Sequence, residues 1–178
     1  NSDKCIGCGR CLRSCPFGAI AKRSGLIPVG KMLYKGEKVV GMIAPAIEGQ
    51  FDGSLEQIKK AMKAVGFTEV VEVAEGAKIT AEREAKELME KKEKGEGYLA
   101  TSCCPAWFSL VDKHIPAIRD HISTTLSPMG YTAQLCKERF PGYKVVFIGP
   151  CVAKRYEAAT KYPELIDRVL AYGELASI

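Results

Sequence analysis

The chain has 178 residues, 47% hydrophobic and 26% charged, which suffices for one substantial core with a small module attached. Its formal charge of +5 comes from 26 basic residues interleaved with 21 acidic ones, as in "EREAKELMEKKEKGEG", which reads as a solvated helix face and not as a nucleic-acid stripe. No apolar run approaches the ~18 residues of a membrane span and no secretory leader is visible, so a soluble, cytoplasmic protein is expected.

The first element in chain order is "CIGCGRCLRSCP", with Cys5, Cys8, Cys11 and Cys15 followed by Pro16. This is the C-x2-C-x2-C-x3-C-P run of bacterial ferredoxins, in which four thiolates hold a 4Fe-4S cluster. Gly7 and Gly9 let the backbone wind closely around such a cluster, and Pro16 turns the chain away from the last ligand. Structural zinc, the alternative, prefers two separated pairs of ligands. Disulfides are disfavoured by the tight intervals and by the lack of an export signal. In two-cluster ferredoxins the fourth cysteine ligates the other cluster. Cys15 is therefore expected to serve a partner run outside this sequence, and Cys5, Cys8 and Cys11 to share a cluster with a cysteine upstream of Asn1. The start at Asn1 and the stop at Ile178 inside the helical "GELASI" carry the same expectation of a piece cut at both ends.

A small ferredoxin-like α+β module is expected over 1–30, leaving through "FGAIAKRSGLIP", with a boundary near 25–37 and a second unit over 37–178. In that unit apolar runs at 39–45, 69–74, 98–102 and 144–149 read as strands. Helices are expected at 54–66, capped by Ser54 and ended by Gly66, around 79–94, and at 128–139, where Ser127 caps and Pro128 takes the first position. A helical stretch broken at Pro116 and a last helix-strand-helix piece complete the pattern. Alternating strands and helices predict an α/β class, with a parallel or mixed sheet flanked by helices. The loops "IAPAI", "TSCCPAW" and "GPCVAKRYE" then fall at the carboxyl ends of strands, where open sheets gather ligands. Adjacent side chains point to opposite sides of the backbone, so Cys103 and Cys104 should not share one role. Plain packing is the alternative for any of these cysteines, and is the expectation for Cys136 in "AQLCKERF".

Taken together, "TSCCPAW", "GPCVAKRYE", "IAPAI" and the ferredoxin run resemble the iron-only (di-iron) hydrogenases, over the ferredoxin module and the N-terminal part of the catalytic domain. The resemblance implies a two-lobed catalytic domain clasping a six-iron H-cluster, a 4Fe-4S cubane joined through a cysteine to a di-iron unit. It implies Cys104 and Cys151 as cubane ligands, Cys103 as the thiol that hands over protons, and Lys154 as the ammonium gripping the di-iron unit. Glu157, Ser123, Glu84 and Glu87 match the family's proton route, the last two with a one-residue shift, and solvated helix charges are the alternative for them. Pro45, Ala46, Ser127 and Pro128 match contacts to the di-iron ligands, with capping and turn chemistry as the alternative. The chain departs from the pattern at Gly149, where the family usually has Met, and lacks the glycine-rich motif carrying the last two cubane cysteines. The activity that the resemblance implies is that of a ferredoxin-linked hydrogenase interconverting protons and H2, with ferredoxin or another redox carrier as partner. A non-catalytic relative that keeps the clusters for electron transfer, sensing or assembly is the alternative, as is a cluster built from Cys103, Cys104, Cys136 and Cys151.

Overall fold

The computed structural model describes residues 1–178. Four strands, β1 (Val39–Ile43), β2 (Glu69–Glu72), β3 (Lys144–Ile148) and β4 (Arg168–Leu170), form one parallel sheet in the order β2-β1-β3-β4. β1 is buried along its whole length. Parallel strands covered on both faces are apolar where they are buried, which explains "VVGMI" and, beyond the half-exposed Lys144 at its start, the "VVFI" of β3.

Alternation along the strands divides the core in two. Val40, Met42, Val145, Phe147 and Val169 face α6 (Pro128–Arg139) and α7 (Ala153–Lys161), where Met129, Ala133, Cys136 and Ala158 meet them. Val39, Ile43, Val146, Ile148 and Leu170 face the other way, onto Val29 of α2 (Leu26–Tyr34), which follows the short α1 (Arg10–Ser14) of the N-terminal run, and onto Ile58 and Met62 of α3 (Leu55–Ala64) and Tyr172 of α8 (Tyr172–Leu175). Thus the segment 25–37, read as a boundary, contains a helix that packs on the sheet.

Local chemistry sets the helix ends. Ser54 and Gln57 form a capping box on α3, with Ser54 N–H donating to Gln57 Oε1 at 2.7 Å and Gln57 N–H to Ser54 Oγ at 3.3 Å. Ser127 Oγ accepts from Gly130 N–H at 3.4 Å, and Pro128 opens α6.

Two expectations are corrected. Residues 98–102 are not a strand of the sheet: Ala100 makes only an isolated bridge to Ile122, on the outer layer formed by α5 (Pro105–His114) and a 3-10 turn, Pro116–His121. With half-exposed side chains at Leu99 and Ala100, "YLATS" lacks the two-sided burial of its apolar counterparts. Helix α4 spans Ala74–Glu93, starting five residues before the expected 79. Gly76 disguised its first turn. A Cβ there would stand 2.3 Å from Pro128 O and from Thr132 Oγ1, so the glycine permits the close crossing of α4 and α6.

Candidate metal centre and the groups around it

The direction in which successive strands are added reverses between β1 and β3, the parallel neighbours from which the sheet is wound outward on either side, and ligands gather beyond such a switch point. After β1 the chain enters a 3-10 turn, Pro45–Ile47, which leaves Pro45 and Ala46 exposed at the sheet's carboxyl edge. After β3 comes Gly149-Pro150-Cys151 and then α7. Ala44 N–H donates to Ile148 O at 2.9 Å, so the two loops leave the sheet side by side. A Cβ on Gly149 would lie 2.8 Å from the Phe147 ring and 3.3 Å from Ala44 Cβ, so Phe147 fills the space a longer side chain would need.

The paired cysteines stand before α5. Cys104 is its N-cap residue and exposed; Cys103 and Cys151 are partly buried. The backbone of Cys103 is held from two sides. Lys154 Nζ, on a side chain only 13% exposed, donates to Cys103 O at 2.9 Å and to Glu157 Oε2 at 2.6 Å. Glu157 is 2% exposed, so its charge sits where only Lys154 makes burial tolerable. From the other side Cys103 N–H donates to Thr101 Oγ1 at 3.3 Å, and the Thr101 hydroxyl donates to Glu84 Oε1 at 2.8 Å. Thr101 was missed in the sequence; its only signal is a hydroxyl two residues before the pair.

Ser123 and Glu87 form a separate knot. The buried Ser123 hydroxyl donates to Glu87 Oε2 at 2.6 Å, and Glu87 Oε1 accepts the Thr124 N–H at 3.1 Å. Ser123 N–H donates to Ala100 O at 2.8 Å, tying this knot to the strand of chain that leads into Thr101. The structure therefore joins Cys103, Lys154 and Glu157 directly, Glu84 through Thr101, and Ser123 with Glu87 one step away. Ser127 is buried and capping, its N–H donating to Tyr162 Oη at 3.3 Å, and Pro128 opens the helix next to it. Cys136 lies at 0% exposure in the core, where burial pushes its thiol up to about 12, which makes it a packing group and a poor ligand.

In the N-terminal run Cys5, Cys8 and Cys11 are exposed and Cys15 is half-buried, and none is disulfide-bonded. Gly7 and Gly9 take φ of 70° and 77°, the left-handed turns the spacing required. Backbone N–H groups turn in toward sulfur: Gly7 N–H reaches Cys5 Sγ at 3.4 Å, and the amides of Ala19 and Phe17 hold the Cys15 thiol below its ordinary value. Amides aimed at thiolate sulfurs are the surroundings iron-sulfur clusters use, so the chemistry of this donor set fits one, while its thiols are not drawn together as they would be around a single ion. At the second site two thiols, Cys104 and Cys151, and the Lys154 ammonium suit part of an anionic cluster. Cys136 is turned into the core and adds no third thiol there.

Residues 37–178 match the family model described as iron only hydrogenase large subunit, C-terminal domain, and residues 1–21 match the 4Fe-4S binding domain. The chain belongs to the iron-only hydrogenase large-subunit family and binds iron-sulfur clusters; the H-cluster belongs to the full-length enzymes of that family. The periplasmic [Fe] hydrogenase large subunit of Nitratidesulfovibrio vulgaris is 32% identical over 97% of this chain and 55% of its own length. A subunit of the NADP-reducing hydrogenase of Solidesulfovibrio fructosivorans is 28% identical over 98% of this chain and 35% of its own. A cytosolic Fe-S cluster assembly factor of Meyerozyma guilliermondii is 32% identical over 64% of this chain and 24% of its own length. The chain thus spans between about a third and about half of the hydrogenase relatives it matches. No helix is long and apolar enough to cross a membrane.

Proposed function

We propose that this chain is the first lobe and electron inlet of a di-iron hydrogenase, which interconverts two protons and two electrons with H2. The observation that carries the reading is the convergence on Cys103: one side of its backbone is held by Lys154 and the buried Glu157, the other by Thr101 and Glu84. A thiol has an ordinary pKa near 8.5, close enough to neutral to exchange protons at operating pH, and positioning makes it useful as a general acid or base. The six-iron group, when bound, supplies the redox chemistry and the place where hydrogen forms. Cys104 and Cys151 would hold it, and Lys154 would face its negative charge. Pro45 and Ala46, exposed at the sheet's carboxyl edge, and Ser127 with Pro128 would line it. Protons would reach Cys103 from Glu157, Glu84, Glu87 and Ser123. Electrons would come from ferredoxin or another redox carrier through the cluster held by Cys5, Cys8 and Cys11, with Cys15 serving the neighbouring cluster.

Similarity to assembly factors named as cytosolic supports a cytoplasmic setting, and the periplasmic relative supports the other compartment. Similarity to cluster assembly factors supports a second reading, a non-enzymatic iron-sulfur protein. The test is hydrogen evolution by the full-length polypeptide, matured with its cofactor and driven by a reduced dye. Sustained H2 is expected; a fully loaded protein that evolves none would favour the second reading.

A further inference from the structure

Helix α5 carries a candidate iron ligand at one end and grips the ferredoxin-like run with the other. Cys104 is its N-cap residue. In its last turn, Lys113 Nζ donates to Ser2 O and to Cys5 O, both at 2.8 Å, and His114 Nε2–H donates to Lys4 O at 2.8 Å. Three backbone carbonyls of the first loop are thus held by two neighbouring side chains. A second contact lies on the other flank: a Cβ added to Gly9 would stand 2.4 Å from Val152 Cγ2, so the Cys8–Cys11 turn rests on the residue next to Cys151. A cavity of about 260 Å3 opens between these parts, walled by Cys5, Gly7, Pro105, Lys113 and Ala153.

We infer that Lys113 is a positioning residue for the N-terminal cluster: its ammonium, anchored on the carbonyl of a cluster ligand, fixes the cluster against the Cys104 and Cys151 loops and raises its reduction potential. A helix of ten residues is about 15 Å long and stiff, so a clamp at its far end fixes the separation between the two iron sites. The electrostatic part has a definite sign. Reduction adds negative charge to the cluster, and a nearby cation favours the reduced form. His114 shares the positional work. The inference needs a cluster on Cys5, Cys8 and Cys11, and does not depend on hydrogen turnover.

The test is a redox titration of the reconstituted full-length polypeptide, monitored by the electron paramagnetic resonance signal that Cys8→Ser abolishes. Lys113→Met should move that midpoint to more negative potential, with about a fivefold fall in the reduction equilibrium constant, the scale of one unit charge through a watery dielectric. Lys113→Arg keeps the charge and a two-pronged donor, and should stay near wild type. If Lys113→Met loses the signal altogether while Lys113→Arg retains it with unchanged thermal unfolding, the clamp is supported as well. An unchanged midpoint in Lys113→Met, or equal shifts in both variants, would overturn it.

Discussion

Residues 1–24 contain no buried side chain, whereas the sheet buries every residue of β1. Two regions of one chain are therefore held by different physics. The sheet lobe rests on apolar burial from both faces, worth about 25 cal/mol per Å2 removed from water. The N-terminal run has no such reserve and is organised by thiolates, inward-turned amides and the clamps from α5. Metal binding in such a segment is folding free energy. Iron should accordingly order the first region and matter little to the core of the second.

The largest effect should come from breaking that division at the first region. Cys8→Ser, or anaerobic chelation of iron, should abolish the N-terminal cluster's signal and the protease resistance of residues 1–21. Amide exchange of β1 and β3 should stay slow, and fast exchange there would mean that the two regions fold as one.

The converse experiment empties the second region. Phe147 is 3% exposed between the sheet and α6 and also occupies the space beside Gly149. Phe147→Ala should cost about 3–5 kcal/mol in urea unfolding, leaving the number of irons bound by the N-terminal run unchanged. Glycine at 149 admits a larger residue only if this ring moves, which gives the departure from the family's Met a steric reason.

A smaller effect separates the two regions by pH. Asp167 is driven up by burial, yet the Val145 amide, Lys144 and Lys137 outweigh that and hold its carboxyl below the usual range. A lowered folded pKa gives stability that is present above the unfolded pKa and lost as pH falls through the folded one. Asp167→Asn should lower the stability of the sheet lobe by about 1–2 kcal/mol near neutrality and flatten its acid limb, as read by urea midpoints across pH. The N-terminal cluster's signal should be indifferent to it.

The same contrast explains what the sequence displayed. Short runs such as "VVGMI" and "VVFI" declared a buried parallel sheet because two-sided burial leaves no room for polar residues. Ser54 and Ser127 declared helix starts through their own side chains. "YLATS" misled because an apolar composition does not reveal whether a partner strand exists, and Gly76 misled because a residue needed for helix crossing looks locally like a turn. At the site, cysteine spacing and the lysine and glutamate after Cys151 were visible. Thr101 was not, because its importance lies in joining Glu84 on α4 to Cys103, a contact between distant parts of the chain. Lys113 was hidden for the same reason, among many lysines of similar local context.

The most direct measurement is made on Cys103→Ala in the matured full-length polypeptide, with iron content, cubane spectroscopy and hydrogen evolution from a reduced dye read on one sample. Iron and the cubane signal should match wild type while turnover falls by at least about a hundredfold, the scale of a lost general acid or base. Loss of iron in step with activity would make Cys103 a ligand, and undiminished turnover would remove it from the proton route; either result contradicts the division of roles between Cys103 and Cys104.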